Sequence, residues 1–332
     1  MEYLKTGVIG LGRMGRHHCR VYAGLRESRL IGVCDINPKT ASDLSAMYDV
    51  PMFGDVDNLL EQVDAVSIAT PTPTHYDLVR RCVEHNVHVL VEKPVTETLE
   101  NAEELACIAA NTNLIVQVGH IERFNPTYLE LKKVLENLQV LAINFRRLSP
   151  YRGSNKDVDV VLDLMVHDLD LSIDLAGKEP ASINALGLTP FSGGLDHVAA
   201  QLFYDEGLLI TLTASRITEE KVRCIDVTAE DAFVEADLLN KNISIHRCST
   251  GEYTANNHSG VKYRQESVIE RILVPNAEPL GLEIKHFLDC ISNQCPPCVT
   301  LLDGLNALRL AQQIRSVVHE RSNHRLPLPE CA

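Results

Sequence analysis

The sequence predicts an α/β chain, with a doubly wound parallel sheet over residues 1–120 followed by an α+β domain over residues 121–332. Three observations carry this. Val/Ile/Leu-rich strands alternate with helices through the first third, the pattern of βαβ units. A glycine turn joins the first strand to the first helix. Beyond about residue 120, strands of alternating polarity take over and short turns separate them.

The elements run in order. Thr6–Gly10 is a short apolar strand, and a helix runs over Gly12–Leu25. Leu30–Asp35 is the second strand and ends on an acid. Asn37–Tyr48 is helical, Pro51–Phe53 a short strand, Asn58–Gln62 a short helix and Ala65–Ala69 a strand. Helix Thr74–His85 leads to strand Val87–Val91, and helix Leu99–Asn111 to strand Leu114–Val118. These strands are continuously apolar, as a sheet covered on both faces requires. Next come helix Pro126–Leu138, the alternating strand Val140–Leu148, and helix Val160–Ala176. Gly177 closes that helix, where a left-handed residue is favoured. Ala181 to Val274 is mostly strand: Ala199–Tyr204, Leu208–Ala214, Cys224–Thr228, Phe233–Asp237, Ile243–Arg247 and Ser267–Val274. Asp205-Glu206-Gly207 and Ala229-Glu230-Asp231 have the composition of hairpin turns. Helices over Leu282–Asn293 and Leu301–Arg321 finish the chain.

Composition narrows the function classes. The chain has 332 residues, 45% of them hydrophobic, which is enough apolar material for two cores. A net charge of -14 argues against nucleic-acid or anionic-membrane binding, while leaving room for a local basic pocket. No apolar run reaches the roughly 18–20 residues of a membrane span. Met1–Lys5 leads into a strand without the basic and apolar regions of a signal peptide, so the expected location is cytoplasmic. The ten cysteines are scattered, as in a reduced compartment. Cys295-Pro296-Pro297-Cys298 has the spacing of a redox pair or half a zinc site. No second pair at metal spacing follows and no thioredoxin-like strand precedes it, so the expectation is two reduced thiols in a loop and no metal.

Gly10-Leu11-Gly12-Arg13-Met14-Gly15 is a G-x-G-x-x-G that follows a strand, opens a helix and precedes Asp35 at the end of the next strand. That context is the Rossmann dinucleotide fingerprint. Gly10 permits the tight turn, Gly12 lets backbone approach a pyrophosphate, and Gly15 lets helix pack on strand. The helix N-terminus then offers free N–H groups to phosphate. Asp35 suits the 2′- and 3′-hydroxyls of the adenine ribose and repels a 2′-phosphate, which selects NAD over NADP.

Two further motifs, Ala69-Thr70-Pro71-Thr72-Pro73-Thr74-His75 and Glu92-Lys93-Pro94, stand at C-terminal ends of predicted parallel strands, the edge where such sheets bind ligands. Together with the glycine loop they resemble the glucose-fructose oxidoreductase / inositol dehydrogenase (Gfo/Idh/MocA) family, and the resemblance covers the whole chain. It implies a C-terminal domain with a large open, mainly antiparallel sheet. It also implies cofactor contacts from Gly10, Gly12, Arg13, Met14, Gly15, Asp35, Thr70, Pro71, Thr72, His75, Glu92 and Lys93.

In that family the lysine of Glu-Lys-Pro lies beside nicotinamide and substrate, which maps to Lys93. There an ammonium would stabilise charge on the reacting oxygen. Asp163-Leu164-Met165-Val166-His167 sets two polar residues at i and i+4, one face of an α-helix. The resemblance implies that His167 takes the substrate hydroxyl proton, with Asp163 in support. By themselves these residues read rather as a polar helix face that continues through Asp170 and Asp174.

Gly119-His120-Ile121-Glu122-Arg123-Phe124-Asn125-Pro126 and Arg147-Leu148-Ser149-Pro150-Tyr151-Arg152-Gly153 resemble the family's nucleotide-sugar branch. In one such reaction C3 of UDP-N-acetylglucosamine becomes a ketone, which a PLP aminotransferase converts to an amine for lipid A. His120, Arg123, Arg147 and Arg152 are the candidate substrate contacts, since Arg can bind phosphate bidentately. Each Arg equally suits a surface salt bridge. The Gly-rich interval between Phe191 and His197 is either a loop near the substrate or a hairpin connection. An inositol-like cyclitol or free-sugar dehydrogenase, a non-catalytic NAD-binding regulator, and a thiol-redox role for Cys295 and Cys298 stay open. The family's open sheet face implies a homodimer or homotetramer.

Overall fold

The computed structural model of the protein describes residues 3–150, 158–191, 194–254 and 261–322. In chain order its strands are β1 Leu4–Ile9, β2 Ser28–Cys34, β3 Met52–Phe53, β4 Ala65–Ile68, β5 His88–Glu92, β6 Val116–Gly119, β7 Val140–Leu148, β8 Ser182–Leu188, β9 His197–Phe203, β10 Leu209–Ser215, β11 Val222–Ala229, β12 Phe233–Asp237, β13 Asn242–Thr254 and β14 Val261–Ile272. Its helices are α1 Arg13–Gly24, α2 Pro38–Tyr48, α3 Val56–Leu60, α4 His75–Glu84, α5 Leu99–Ala110, α6 Pro126–Leu135, α7 Val166–Ala176, α8 Pro279–Asn293 and α9 Leu301–Ser322. The chain forms two compact units, Met1–Phe124 with Ala277–Arg309, and Asn125–Asn276 with Leu310–Ala332.

In the first unit, six strands lie in the order β3-β2-β1-β4-β5-β6, all parallel. The order reverses between β1 and β4, and that crevice is where doubly wound sheets bind ligands. Local chemistry sets the helix starts. The Asn37 side chain accepts from the N–H groups of Lys39 and Thr40, with Pro38 in the first turn of α2. Thr98 caps α5 in the same way. α1 is different: its N-cap is Gly12 and no side chain satisfies its first N–H groups.

A single cut at 120/121 does not describe the units, because Ala277–Arg309 returns to the first. Leu280, Ile284, Phe287 and Leu288 of α8 share one core with Val8, Tyr22, Val33 and Leu44. The Val118 N–H donates to the Val299 carbonyl, and Gly304 gives Val118 room, since a Cβ there would lie 2.9 Å from Val118 Cγ2. Periodicity tells that α8 buries a face but not which sheet receives it.

In the second unit, eight strands run β14-β13-β12-β11-β7-β10-β9-β8. Every pairing is antiparallel except β7 with β10. Alternation places Phe145, Leu202, Leu212, Ile225 and Val234 in a core with Tyr128, Leu131, Met165 and Leu169, and with Leu310, Ile314 and Val318 of α9. The opposite face leaves Leu186, Phe203 and Phe233 exposed. β13 and β14 are longer than the predicted Ile243–Arg247 and Ser267–Val274, because the polar stretch beyond Arg247 carries no alternation to extend a prediction. Among the described residues no helix is long and apolar enough to cross a membrane.

One histidine ties β5 to the residue that enters β6 in a proton-dependent way. Nδ1 of His88 on β5 lies 2.8 Å from the Ile115 N–H and accepts from it, which needs the neutral ring. Burial pushes the His88 pKa down. Because the folded ring resists a proton that the unfolded ring takes near pH 6.5, this contribution is complete above that pH and drains as pH falls. Burial lowers His75, His197 and His286 as well, so the wild-type melting temperature will fall between pH 7.5 and 5.5. His88→Gln will melt lower at pH 7.5 and decline less steeply, as read by circular dichroism; equal slopes would remove His88 from the set.

Candidate functional site

The glycine turn is built by close approach. Gly10 has φ +84°, and a Cβ on Gly15 would stand 1.8 Å from the Gly10 carbonyl oxygen, so helix and turn touch backbone to backbone. A Cβ on Gly12 would meet nothing within 4 Å, leaving open space in front of the uncapped α1 N-terminus. Arg13 is exposed and Met14 half-buried. Asp35 follows β2 and shapes the same turn: Oδ2 accepts from Leu11 N–H at 2.6 Å and Oδ1 from Asn37 N–H at 2.7 Å. The next residue, Ile36, stands wholly in solvent. The predicted acid is thus also a strut of the loop. The open cradle, free helix N-terminus and ribose-side acid suit a dinucleotide pyrophosphate and its ribose.

The two strand-end motifs are tied together by His75, which is buried at the start of α4. Its Nδ1 lies 2.9 Å from the Pro94 carbonyl and its Nε2 2.9 Å from the Thr70 carbonyl. Burial lowers its pKa, against the pull of those two carbonyls. His75, expected as a cofactor contact, therefore acts first as a brace between the Thr70-Pro71-Thr72 and Glu92-Lys93-Pro94 loops. Thr70 and Thr72 are half-buried and Pro71 is exposed; the Thr74 hydroxyl donates within the loop to Thr70 Oγ1 at 2.7 Å. Lys93 is half-buried and the Lys93–Pro94 peptide is cis.

Glu92 is held from below by residues the sequence reading missed. His18 Nε2 lies 3.0 Å from Glu92 Oε1, and His18 Nδ1 lies 2.8 Å from Ser67 Oγ. Tyr22 OH stands 2.8 Å from the same Ser67 oxygen. Glu92 Oε1 accepts from His18 Nε2–H, and His18, Ser67 and Tyr22 form one buried hydrogen-bonded chain behind that carboxylate. His18 and Tyr22 are both fully buried, and burial pushes the Tyr22 phenol above its ordinary range. Their i, i+4 spacing on α1 was a visible signal. Gly119 completes the seat, since a Cβ there would lie 3.3 Å from Glu92 Oε2.

His120 and Arg123 are buried, and Arg123 Nη2 lies 3.8 Å from Asp303 Oδ1. Cys295 and Cys298 are both exposed. The Cys298 N–H donates to His286 Nε2 at 3.0 Å, which gives that loop a structural tie.

In the second unit, Asp163 and His167 are both half-buried. The predicted single helix over Val160–Ala176 is a π-helical turn, Val161–Met165, followed by α7, which Gly177 closes at φ +68°. A π-turn changes the spacing that an α-helical i, i+4 reading assumes. Of the acids that continued the stripe, Asp170 is buried, and Asp174 is held by Tyr128 OH and by Lys132 Nζ at 2.8 Å. Arg147 was expected as a phosphate contact. Its guanidinium is instead buried against Asp168, with Nε 3.0 Å from both carboxylate oxygens and Nη2 2.7 Å from Oδ1. An inward position on β7 and an acid on α7 make that pair. Arg152 lies outside the described residues, as do Ser192 and Gly193 of the Gly-rich interval.

A parallel sheet with an open glycine turn at its switch point and an acid after its second strand defines the dinucleotide-binding class of oxidoreductases. The family described as "Oxidoreductase family, NAD-binding Rossmann fold" matches residues 4–120, and the "GFO/IDH/MocA C-terminal domain" matches residues 141–235. The chain is 33% identical over 318 residues to UDP-N-acetylglucosamine 3-dehydrogenase of Acidithiobacillus ferrooxidans, covering 96% of this chain and 98% of that protein. It is 25% identical over 335 residues to inositol 2-dehydrogenase of Rhizobium meliloti, covering 96% and 98%. A solved structure of the Acidithiobacillus enzyme matches with TM-score 0.86 at 33% identity, over 96% of this chain and 99% of that one. Myo-inositol 2-dehydrogenase of Lactobacillus plantarum shares the fold, at TM-score 0.79 and 20% identity over 96% and 98%. The chain belongs to the GFO/IDH/MocA oxidoreductase family, and is a dehydrogenase acting on CH–OH groups.

The Gly15 contact leaves no room for a methyl group. Gly15→Ala will displace the turn and weaken NAD+ binding by at least about tenfold, about 1.4 kcal/mol. Isothermal titration calorimetry checks this, and an unchanged Kd would mean that the turn does not cradle the cofactor.

Proposed function

We propose that this enzyme is NAD-dependent and oxidises the C3 hydroxyl of UDP-N-acetylglucosamine to a ketone. The observation that carries the substrate is full-length likeness to a UDP-N-acetylglucosamine 3-dehydrogenase at 33% identity, against 25% for the inositol enzyme. The cofactor reading is supported by the open space at Gly12, the uncapped α1 N-terminus and Asp35. Backbone N–H groups of the turn hold the pyrophosphate, with Arg13 and Met14 at its rim. Asp35 takes the ribose hydroxyls and repels a 2′-phosphate, and exposed Ile36 offers an apolar face to the adenine. Thr70, Pro71, Thr72, Glu92 and Lys93 line the nicotinamide side.

Bound NAD supplies the hydride acceptor. His167 takes the hydroxyl proton, and Asp163 orients its ring and favours its charged form. Lys93 donates a hydrogen bond to the reacting oxygen and stabilises its developing negative charge. His120, Arg123 and Arg152 remain the substrate contacts, while Arg147 is withdrawn from that set by its pairing with Asp168. The 3-keto product then suits a PLP aminotransferase that makes the amine for a lipid A with amide-linked chains, in the cytoplasm.

NADH formation at 340 nm will appear with UDP-N-acetylglucosamine and not with myo-inositol. Lys93→Ala and His167→Ala will each lower kcat by about 10²–10⁴-fold. Turnover of inositol with no UDP-sugar would replace the substrate, and full activity in both variants would remove the catalytic roles.

The exposed face of the eight-stranded sheet carries Leu186, Leu188, Phe203, Phe233 and Ile269. Apolar side chains gathered on one sheet face favour burial against a second copy, giving a homodimer or homotetramer. Light scattering will show an oligomer, and Leu186→Asp will shift it toward monomer; a monomeric wild type would overturn this.

A further inference from the structure

The turn that carries Asp163 is of a kind that relaxes unless it is held. A π-turn holds more residues than an α-turn, and it is rare and found mostly as a single turn within an α-helix. Slipping by one residue converts it to α-helix and rotates the helix beyond it by about 100° relative to the chain before it. His167 stands two residues beyond the turn, so its direction depends on whether the slip occurs.

Both flanks of the turn are pinned by buried charge. Before it, Arg216 donates from Nη1 to the Val158 carbonyl at 2.8 Å and from Nε to Asp196 Oδ1 at 2.8 Å. Asp159 Oδ1 accepts from the N–H groups of Val161 and Leu162, both at 3.1 Å, and its Oδ2 forms an ion pair with Arg315 Nε at 2.6 Å. The Val160 N–H donates to the Leu195 carbonyl at 2.9 Å. After the turn, Asp168 is gripped by Arg147, and the two side chains are 6% and 3% exposed. Arg147 is fixed in its turn by the sheet, opposite Ala214 of β10 and Arg223 of β11.

We propose that Arg147, acting through Asp168, is a positioning residue that keeps the π-turn in register and so sets the direction of His167. For the turn to become α-helical, Asp168 would have to advance one residue and swing away from Arg147. That would pull a buried carboxylate off its forked guanidinium, and breaking such a pair is strongly destabilising. The assignment rests on the reading of His167 as the base. It also gives a buried arginine, which the sequence placed at a phosphate, a different task.

Three variants test it. Arg147→Lys keeps the charge and loses the bidentate fork. Asp168→Asn keeps the shape and loses the charge. The double variant Arg147→Met with Asp168→Leu removes both charges together, a change that folds tolerate better than the loss of one partner. In each, NAD+ affinity and KM for the UDP-sugar will stay at wild-type values. kcat will fall by about tenfold or more, since a misplacement of about 1 Å costs up to about 10²-fold. The 15N-labelled imidazole of His167 will titrate at a shifted pH. A double variant that folds with wild-type kcat and an unshifted His167 would overturn the proposal. So would a rise in KM alone, which marks a phosphate contact. The imidazole titration needs no turnover: a wild type inactive on every sugar defeats the proposed function, while the His167 shift still decides the role of Arg147.

Discussion

The first unit depends on one near-contact, the backbone of Gly15 against the carbonyl of Gly10. It lets α1 lie directly on the sheet at the point where strand order reverses. Once α1 lies there, its open end faces the crevice and its inner side brings His18 and Tyr22 onto Ser67 of β4. His18 then reaches Glu92 on β5, so the position of the Glu92-Lys93-Pro94 loop is tied back to the glycine turn through buried hydrogen bonds. His75 ties the same loop to the Thr70 segment. Three loops from three strands are thereby held as one surface, which is how a rigid scaffold presents binding groups on otherwise mobile connections.

The second unit is organised by buried charge. Arg147–Asp168 and Arg216–Asp196 sit almost without solvent. Such pairs contribute little net stability over apolar side chains of the same size, yet breaking one partner is costly. Their physical consequence is directional. A hydrophobic core accepts small rotations of a helix, whereas a forked guanidinium accepts one placement of its carboxylate.

The fold was legible because its signals are local. Continuous apolar strands, alternating strands and turn residues each report a neighbourhood of a few residues, and Val140–Leu148 and Phe233–Asp237 were bounded from them residue for residue. The glycine turn and Asp35 were legible for the same reason. The features that escaped depend on partners far away in sequence. Nothing near Arg147 announces Asp168 on α7. Nothing near Asp35 announces that its oxygens also hold Leu11 and Asn37. The π-turn escaped because its residues suit an α-helix equally well, and only the pinned flanks distinguish the two.

The return of Ala277–Arg309 to the first unit bears on how the protein is made. A ribosome delivers the N-terminal part of a chain first, and domains generally fold as units in that order. Here the core that seats α1 lacks α8 until all of Asn125–Asn276 has been synthesised. The nascent first unit therefore waits, with the side of α1 that α8 will cover still bare, while the strands of the second unit emerge. Apolar surface bared in that way is prone to aggregation, and here it lies on the part of the protein that is translated first.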